Sequence, residues 1–290
     1  MDLPSKWTPV APFRTLASIS STKPWGCVVK TQFQTVACLA IAGGLLLSAC
    51  ASSPDEDFAE IPPAEELYAE GIELMETGTQ FWGLDMTDYG AAIDRFQEVI
   101  DNYPYSDVAV DAELRIADAY FEQSRYDEAL SYYREFAELH PDHAKVPYTV
   151  FRTALSHYHQ SKDAERDQTA TREALDTFDQ LITRYPRAPE VKEAEAFWIE
   201  LRTKLARHEM MIGDFYLDDT EYQSAANRYR DVLNEYPGLG LDAEALYKLG
   251  VCYTHMNRDE EARHIFEVIL RNYEGSEIAG AAADLVPSAN

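Results

Sequence analysis

Cysteine is scarce and unevenly placed. Of the four in 290 residues, Cys27, Cys38 and Cys50 fall within the first fifty, and only Cys252 lies beyond. That distribution excludes a disulfide framework in the body of the chain. Positive charge is also scarce, with 25 Lys and Arg against 51 Asp and Glu. The first fifty residues hold Lys6, Arg14, Lys23, Lys30 and Asp2. Residues 51–290 therefore keep 21 basic and 50 acidic side chains, a net charge of −29. Such a balance argues against nucleic acid, whose binding rests on neutralising phosphates, and against docking to anionic lipid through a basic patch. Glycine and proline are not enriched, aromatic residues reach 12%, and no segment shows sustained period-two alternation. Extensive disorder and extensive sheet are both disfavoured. No phosphate-binding glycine loop and no zinc signature is present.

What is present begins with Val36–Ala49 (VACLAIAGGLLLSA), apolar, uncharged and preceded by Lys30. It is too short to span a bilayer comfortably and fits the apolar region of a secretory signal. Leu47-Ser48-Ala49-Cys50 resembles a bacterial lipobox, which implies cleavage before Cys50 and acylation of its thiol and new amino terminus. Several acyl chains together anchor stably where one would be marginal. The stretch before the apolar run is long for a signal peptide, and reads either as an extended leader or as a start placed too early. Residues 51–63 (ASSPDEDFAEIPP) are polar, acidic and proline-bearing, the composition of a tether. The domain reading is thus a cleaved signal over 1–49, a lipidated tether over 50–63, and two helical halves over 64–189 and 190–290. Ala51, rather than Asp, directly after the lipidated cysteine points to the periplasmic face of the outer membrane.

Internal repeats organise the remainder. Tyr89–Pro104, Tyr126–Pro141, Thr171–Pro186 and Tyr222–Pro237 align without gaps, and Arg258–Tyr273 follows the same frame. Each carries an alanine (Ala92, Ala129, Ala174, Ala225, Ala262) and, one helical turn later, an aromatic residue (Phe96, Tyr133, Phe178, Tyr229, Phe266). The alanine admits a close neighbour, the ring fills the space between helices, and the proline that follows ends the helix. A small residue twelve positions earlier (Ala117, Gly213, Gly250), followed three residues later by tyrosine, marks a preceding helix. The first and third repeats keep the small residue (Gly71, Ala154) but require insertions. This is the tetratricopeptide pattern of helix–turn–helix units. The expected fold is all-α, a solenoid of about five helix pairs, with essentially no sheet. An extended joining helix is expected over Glu190–Leu217, its apolar face built from Phe197, Leu201, Leu205, Met211 and Phe215, and a short terminal helix near Glu277–Leu285.

No catalytic constellation emerges. Cys252 sits in a repeat core and reads as a small buried apolar residue. His157 with His159, and His140 with His143, lack further ligands at metal spacing and read as surface or helix-end histidines. Carboxylate groups such as Asp218–Asp219 and Asp259–Glu261 complement helix starts and turns. No catalytic residue, cofactor or metal is therefore assigned. First-helix positions of the N-terminal repeats should line a concave groove, and the candidates are Tyr68, Ile72, Met75, Leu114, Asp118, Phe121, Phe151 and Tyr158. Such surfaces bind extended ligands. The competing reading is that the chain's own tether or a neighbouring helix fills the groove.

The repeat pitch is irregular: helix ends at positions 104, 141, 186, 237 and 274 are separated by 37, 45, 51 and 37 residues. His140-Pro141-Asp142-His143, the insertion Asp163–Gln168, Arg184-Tyr185-Pro186, Leu205–Glu209 and Asp214-Phe215-Tyr216 follow in that order, after a lipobox and a helix start at Glu65-Leu67-Tyr68. In these features residues 64–275 resemble the BamD family, tetratricopeptide lipoproteins of the outer-membrane β-barrel assembly machinery. The resemblance implies a lipid-anchored, non-enzymatic scaffold whose C-terminal half contacts periplasmic domains of the barrel insertase. Its N-terminal groove would contact unfolded outer-membrane proteins, and other assembly lipoproteins would be further partners. The membrane would be met through the lipid anchor only. One departure is the acidic turn Leu217–Glu221 (LDDTE), where some members carry a basic residue. The alternative function is another tetratricopeptide lipoprotein adaptor, serving a pilus secretin or a cell-wall enzyme.

Overall fold

The computed structural model describes residues 61–78, 80–81 and 84–286. The signal segment, Cys50 and most of the tether lie outside the described residues.

Eleven helices are present among the described residues. They are α1 (Ala64–Glu76), α2 (Tyr89–Asn102), α3 (Asp107–Glu122), α4 (Tyr126–Leu139), α5 (Val146–Gln160), α6 (Thr169–Arg184), α7 (Val191–Asp218), α8 (Tyr222–Glu235), α9 (Asp242–His255), α10 (Asp259–Asn272) and α11 (Glu277–Leu285). Each helix packs chiefly on its neighbours in sequence, giving five helix pairs closed by α11. The sheet among described residues is one antiparallel pairing, β1 (Gln80–Phe81) with β2 (Leu84–Asp85). It lies in the insertion of the first repeat, where the connection between α1 and α2 doubles back on itself.

Helix ends follow from sequence. The side chains of Asp88, Ser106 and Ser276 cap α2, α3 and α11 by accepting from the backbone N–H three residues on. The second helices stop two residues before the repeat proline. At Tyr103, His140, Tyr185 and Tyr236 the backbone N–H still reaches the carbonyl four residues back, and the proline after each has no N–H to continue the ladder. Ser124, Thr220 and Asn257 take left-handed φ values of 59°, 62° and 57°. They turn the chain within the second, fourth and fifth pairs, the three repeats whose spacing needs no insertion.

The repeat frame has a direct steric cause. A Cβ built on Gly71, Gly213 or Gly250 would come within 2.6 Å of the ring of Phe96, Tyr229 or Phe266 respectively. Each second-helix ring thus lies against the backbone of its own first helix, and only a small residue admits it. The rings and the alanines one turn before them are fully buried.

Three core clusters follow one another along the chain. The long helix α7 supplies Ala194 and Leu201 to the middle cluster and Ala206 and Met210 to the last. Its apolar face departs from the sequence expectation. Leu201 and Leu205 are buried, but Met211 and Phe215 are 37% and 67% exposed, and Met210 is buried in their place. The packed stripe runs through Ala206, Met210 and Gly213, because Gly213 must face the Tyr229 ring. The third-repeat insertion is held to α7 by Lys204, which donates to the Ser161 hydroxyl at 2.9 Å, and by His208, whose Nδ1 lies 2.6 Å from the Ala164 carbonyl. Inside it, buried Gln168 donates to the carbonyls of Asp163 and Arg166. No helix among the described residues is long and apolar enough to cross a membrane.

Candidate protein-binding face

The first helices α3 and α5 place a polar network on their common face, centred on Asp118. Its Oδ1 accepts from the Tyr133 hydroxyl at 2.7 Å and the Tyr148 hydroxyl at 2.8 Å, and its Oδ2 accepts from Arg115 at 3.2 Å. Arg152 approaches the same carboxylate at 3.9 Å, donates to the Tyr133 oxygen at 3.0 Å and pairs with Glu122 at 2.8 Å. Its guanidinium lies 3.7 Å from the centroid of the Phe121 ring. Asp118 keeps only 6% of its side-chain surface. Burial, followed by the Asp118 charge, pushes the Tyr133 and Tyr148 hydroxyls well above the usual tyrosine range. Both therefore stay protonated donors. A buried carboxylate with this many donors is fully compensated, which is the condition for a stable buried charge.

A related arrangement recurs at a constant offset of 96 residues, 118 to 214 and 133 to 229. Asp214 accepts from the Tyr229 hydroxyl at 2.7 Å and from Lys248, the counterpart of Arg152, at 2.8 Å on both oxygens. The left-handed turn residues Ser124 and Thr220 share the offset. So do two ring stacks, His159 on Tyr126 at 5.2 Å and His255 on Tyr222 at 4.5 Å. The surroundings differ, since Arg115, Tyr148 and Ala119 correspond to Met211, Glu244 and Phe215. Asp214 consequently keeps 42% of its side-chain surface, against 6% for Asp118.

The eight sequence candidates divide into two groups. Leu114, Phe121 and Phe151 are buried in the middle core cluster, so their side chains are spent on packing and offer a ligand little surface. Asp118 is buried as the hub of the network. Tyr68, Ile72, Met75 and Tyr158 are half-buried. The Tyr68 oxygen accepts from Arg115 at 3.2 Å, which ties α1 to the network. Tyr158 donates to Glu200 at 2.7 Å, and burial together with that bond raises its hydroxyl to about 12. Of the polar residues that gather on this face, the sequence assigns Tyr133 only to packing between helices and gives no role to Arg115, Tyr148 or Arg152. A signal for them exists: where the second-helix aromatic is tyrosine, aspartate follows the small residue of the first helix (Ala117-Asp118, Gly213-Asp214). Where it is phenylalanine, an aliphatic residue follows (Gly71-Ile72, Ala154-Leu155, Gly250-Val251).

The other titratable candidates sit in structural roles. Cys252 is buried, and burial pushes its thiol up to about 11, away from a reactive thiolate. His157 is buried within α5, with Arg134 3.1 Å from its Nε2. Glu173 lies 3.2 Å from its Nδ1 without hydrogen-bonding geometry. His140 meets Glu113 at 2.8 Å beside Phe136 and His143. Among the described residues no three His, Cys, Asp or Glu side chains gather as metal ligands.

Comparison with known proteins places these features. The family model YfiO, described as outer membrane lipoprotein, matches residues 64–268. The outer membrane protein assembly factor BamD of Rickettsia prowazekii is 31% identical over 243 residues, spanning 84% of this chain and 93% of that protein. BamD of Caulobacter vibrioides is 28% identical over 213 residues, spanning 73% of this chain and 67% of the relative. Among solved structures, the TPR2AB domain of yeast Sti1 covers 76% of this chain and 81% of its own at 14% identity, with a TM-score of 0.40.

Proposed function

The chain belongs to the BamD family of outer membrane lipoproteins, and from that membership we propose that it is a scaffold subunit of the machinery that assembles β-barrel proteins into the outer membrane. The observation that carries this reading is the family match across residues 64–268, which spans both insertions and the long helix α7. A generic repeat protein would not need those irregular elements. The scaffold is held at the periplasmic face by acylation of Cys50, with residues 51–63 as the tether. It works by binding rather than by catalysis.

In this reading the half over 64–189 receives unfolded outer-membrane protein clients along the face of α1, α3 and α5. Tyr68, Ile72, Met75, Tyr158 and the rim of the Asp118 network supply the contact, over a core that includes Leu114, Phe121 and Phe151. The half over 190–290 engages the periplasmic domains of the barrel insertase, and further assembly lipoproteins join the complex. Repeat arrays suit this task because each pair contacts only its neighbours and leaves one long face free.

A gentle-detergent pull-down from native membranes, read by mass spectrometry, tests the proposal. Recovery of the barrel insertase at near-equal abundance supports it. Recovery of a pilus secretin or a cell-wall hydrolase complex instead moves the function to an adaptor of that system.

A further inference from the structure

The two aspartate sites share one frame, and the first shows what a completed site contains. At Asp118 the chain supplies its own arginines: Arg115 from one turn earlier on the same helix, at 3.2 Å, and Arg152 from the next first helix. Arg152 also bridges to Glu122 at 2.8 Å and rests against the Phe121 ring. Carboxylate, second carboxylate and aromatic ring thus form a guanidinium seat, and it is filled from within.

At Asp214 the seat is only partly filled: a lysine replaces one arginine and the other is missing. Met211 stands where Arg115 does, and Lys248, in place of Arg152, pairs with Asp214 at 2.8 Å and with Glu244 at 2.7 Å. Asp218, the counterpart of Glu122, is exposed and makes no ion pair with any described residue. An exposed aromatic follows Asp214 in sequence: Phe215, where the first site has Ala119, is 67% exposed. On α7, Met211, Phe215 and Asp218 lie within one helical sector, since residues three and four apart share a face. Asp218 is left without an ion pair among the described residues, and Asp214 keeps 42% of its side-chain surface beside Lys248, so with the exposed Phe215 ring the patch offers a cation both negative charge and an aromatic face.

We infer that Met211, Asp214, Phe215 and Asp218 form a docking site for an arginine-bearing segment of a partner protein. The partner's guanidinium stacks on Phe215 and pairs with Asp214 and Asp218, as Arg152 stacks on Phe121 and pairs with Glu122 inside the chain. Arginine is preferred over lysine because its planar fork can stack and pair at once. The inference holds whichever protein carries the segment, so its failure would leave the assembly reading standing, and the converse is also true.

The test is fluorescence anisotropy on the full-length protein in mild detergent at low ionic strength. The probes are labelled twelve-residue Gly-Ser peptides with a central Leu-Arg-Leu-Arg, and the same peptides with Lys or Glu at the Arg positions. The Arg peptide is expected to bind most tightly and the Glu peptide not at all. Phe215→Ala and Asp218→Asn should each weaken the Arg peptide about threefold to fivefold, the range of an exposed cation–π contact or ion pair. Met211→Arg, which supplies the internal arginine seen at the first site, should weaken it about tenfold or more. Gln97→Arg adds the same charge at an exposed position of α2, in the first helix pair, and should change affinity less than about twofold, as expected of a remote charge screened by solvent. Equal binding of Arg and Glu peptides, or equal loss from Met211→Arg and Gln97→Arg, would overturn the inference. All four positions are at the surface or partly exposed, and unchanged circular dichroism would show that the variants fold.

Discussion

The Tyr133 hydroxyl donates a 2.7 Å hydrogen bond to Asp118, and Tyr229 donates one of equal length to Asp214. The bonds match, but their settings do not: the Asp118 side chain is 6% exposed and that of Asp214 is 42% exposed. Removing a donor from a buried charge costs more than removing one from a charge that water can reach. Tyr133→Phe should therefore destabilise the protein by about 1–3 kcal/mol, while Tyr229→Phe costs under about 1 kcal/mol. Urea denaturation of the two variants measures the difference, and equal costs would contradict the assignment of Asp118 as the compensated hub.

The ring-on-backbone contact makes a second prediction. Gly213→Ala and Gly250→Ala place a methyl group 2.6 Å from the Tyr229 and Phe266 rings. Overpacking of this kind typically costs about 1–3 kcal/mol, partly offset by the better helix propensity of alanine, up to about 1 kcal/mol. Both variants should melt below the parent protein. Gly280→Ala in α11, where a Cβ meets open space, should melt at or above it. Thermal denaturation separates the two classes.

Much of this was legible in the sequence, for reasons that can be named. The frame of Ala129, Tyr133 and Pro141 sets a close approach, a filled gap and a stop, each dictated by one residue's shape, so the helix pairs and their boundaries follow. The face of α7 did not follow. Met210 and Met211 are adjacent and equally apolar, and only the demand that Gly213 meet the Tyr229 ring decides which is buried. The candidate groove was legible in part. First-helix apolar residues such as Leu114 and Phe151 were expected on an open surface, yet they pack inward. The polar network is not legible as a network in the sequence, because Tyr148 and Arg152 lie 30 and 34 residues from Asp118 on another helix and meet it only in the fold.

Titration of His157 gives a third prediction. Burial is the largest influence on this ring and lowers its proton affinity, with Arg134 adding to the effect and Glu173 and Asp127 opposing it. A histidine whose folded-state affinity lies below its unfolded value, about 6.5, is bound more readily by protons in the unfolded chain. Its contribution to stability is present above that value and is lost as pH falls through it toward the folded value. Stability should decline between pH 7 and pH 5.5, by at most about 1.4 kcal/mol per pH unit from this group. His157→Gln should flatten that slope, which chemical denaturation at stepped pH would reveal. An unchanged slope would assign the decline to other groups.

The anchor makes a fourth. Cys50→Ser removes the only thiol of the Leu47-Ser48-Ala49-Cys50 motif. Because several acyl chains supply the membrane affinity, and no described helix can span a bilayer, the variant should move from the membrane pellet to the soluble periplasmic fraction. Retention in the pellet after a high-salt wash would mean that something other than acylation holds the chain there.

The central claim is that this scaffold serves β-barrel assembly, and controlled depletion in its own host tests it most directly. Quantitative mass spectrometry of outer membranes after depletion should show folded barrel proteins falling together, with heat-modifiable mobility lost and unfolded precursors accumulating in the periplasm. Barrel protein levels that hold steady while the scaffold disappears would contradict the account.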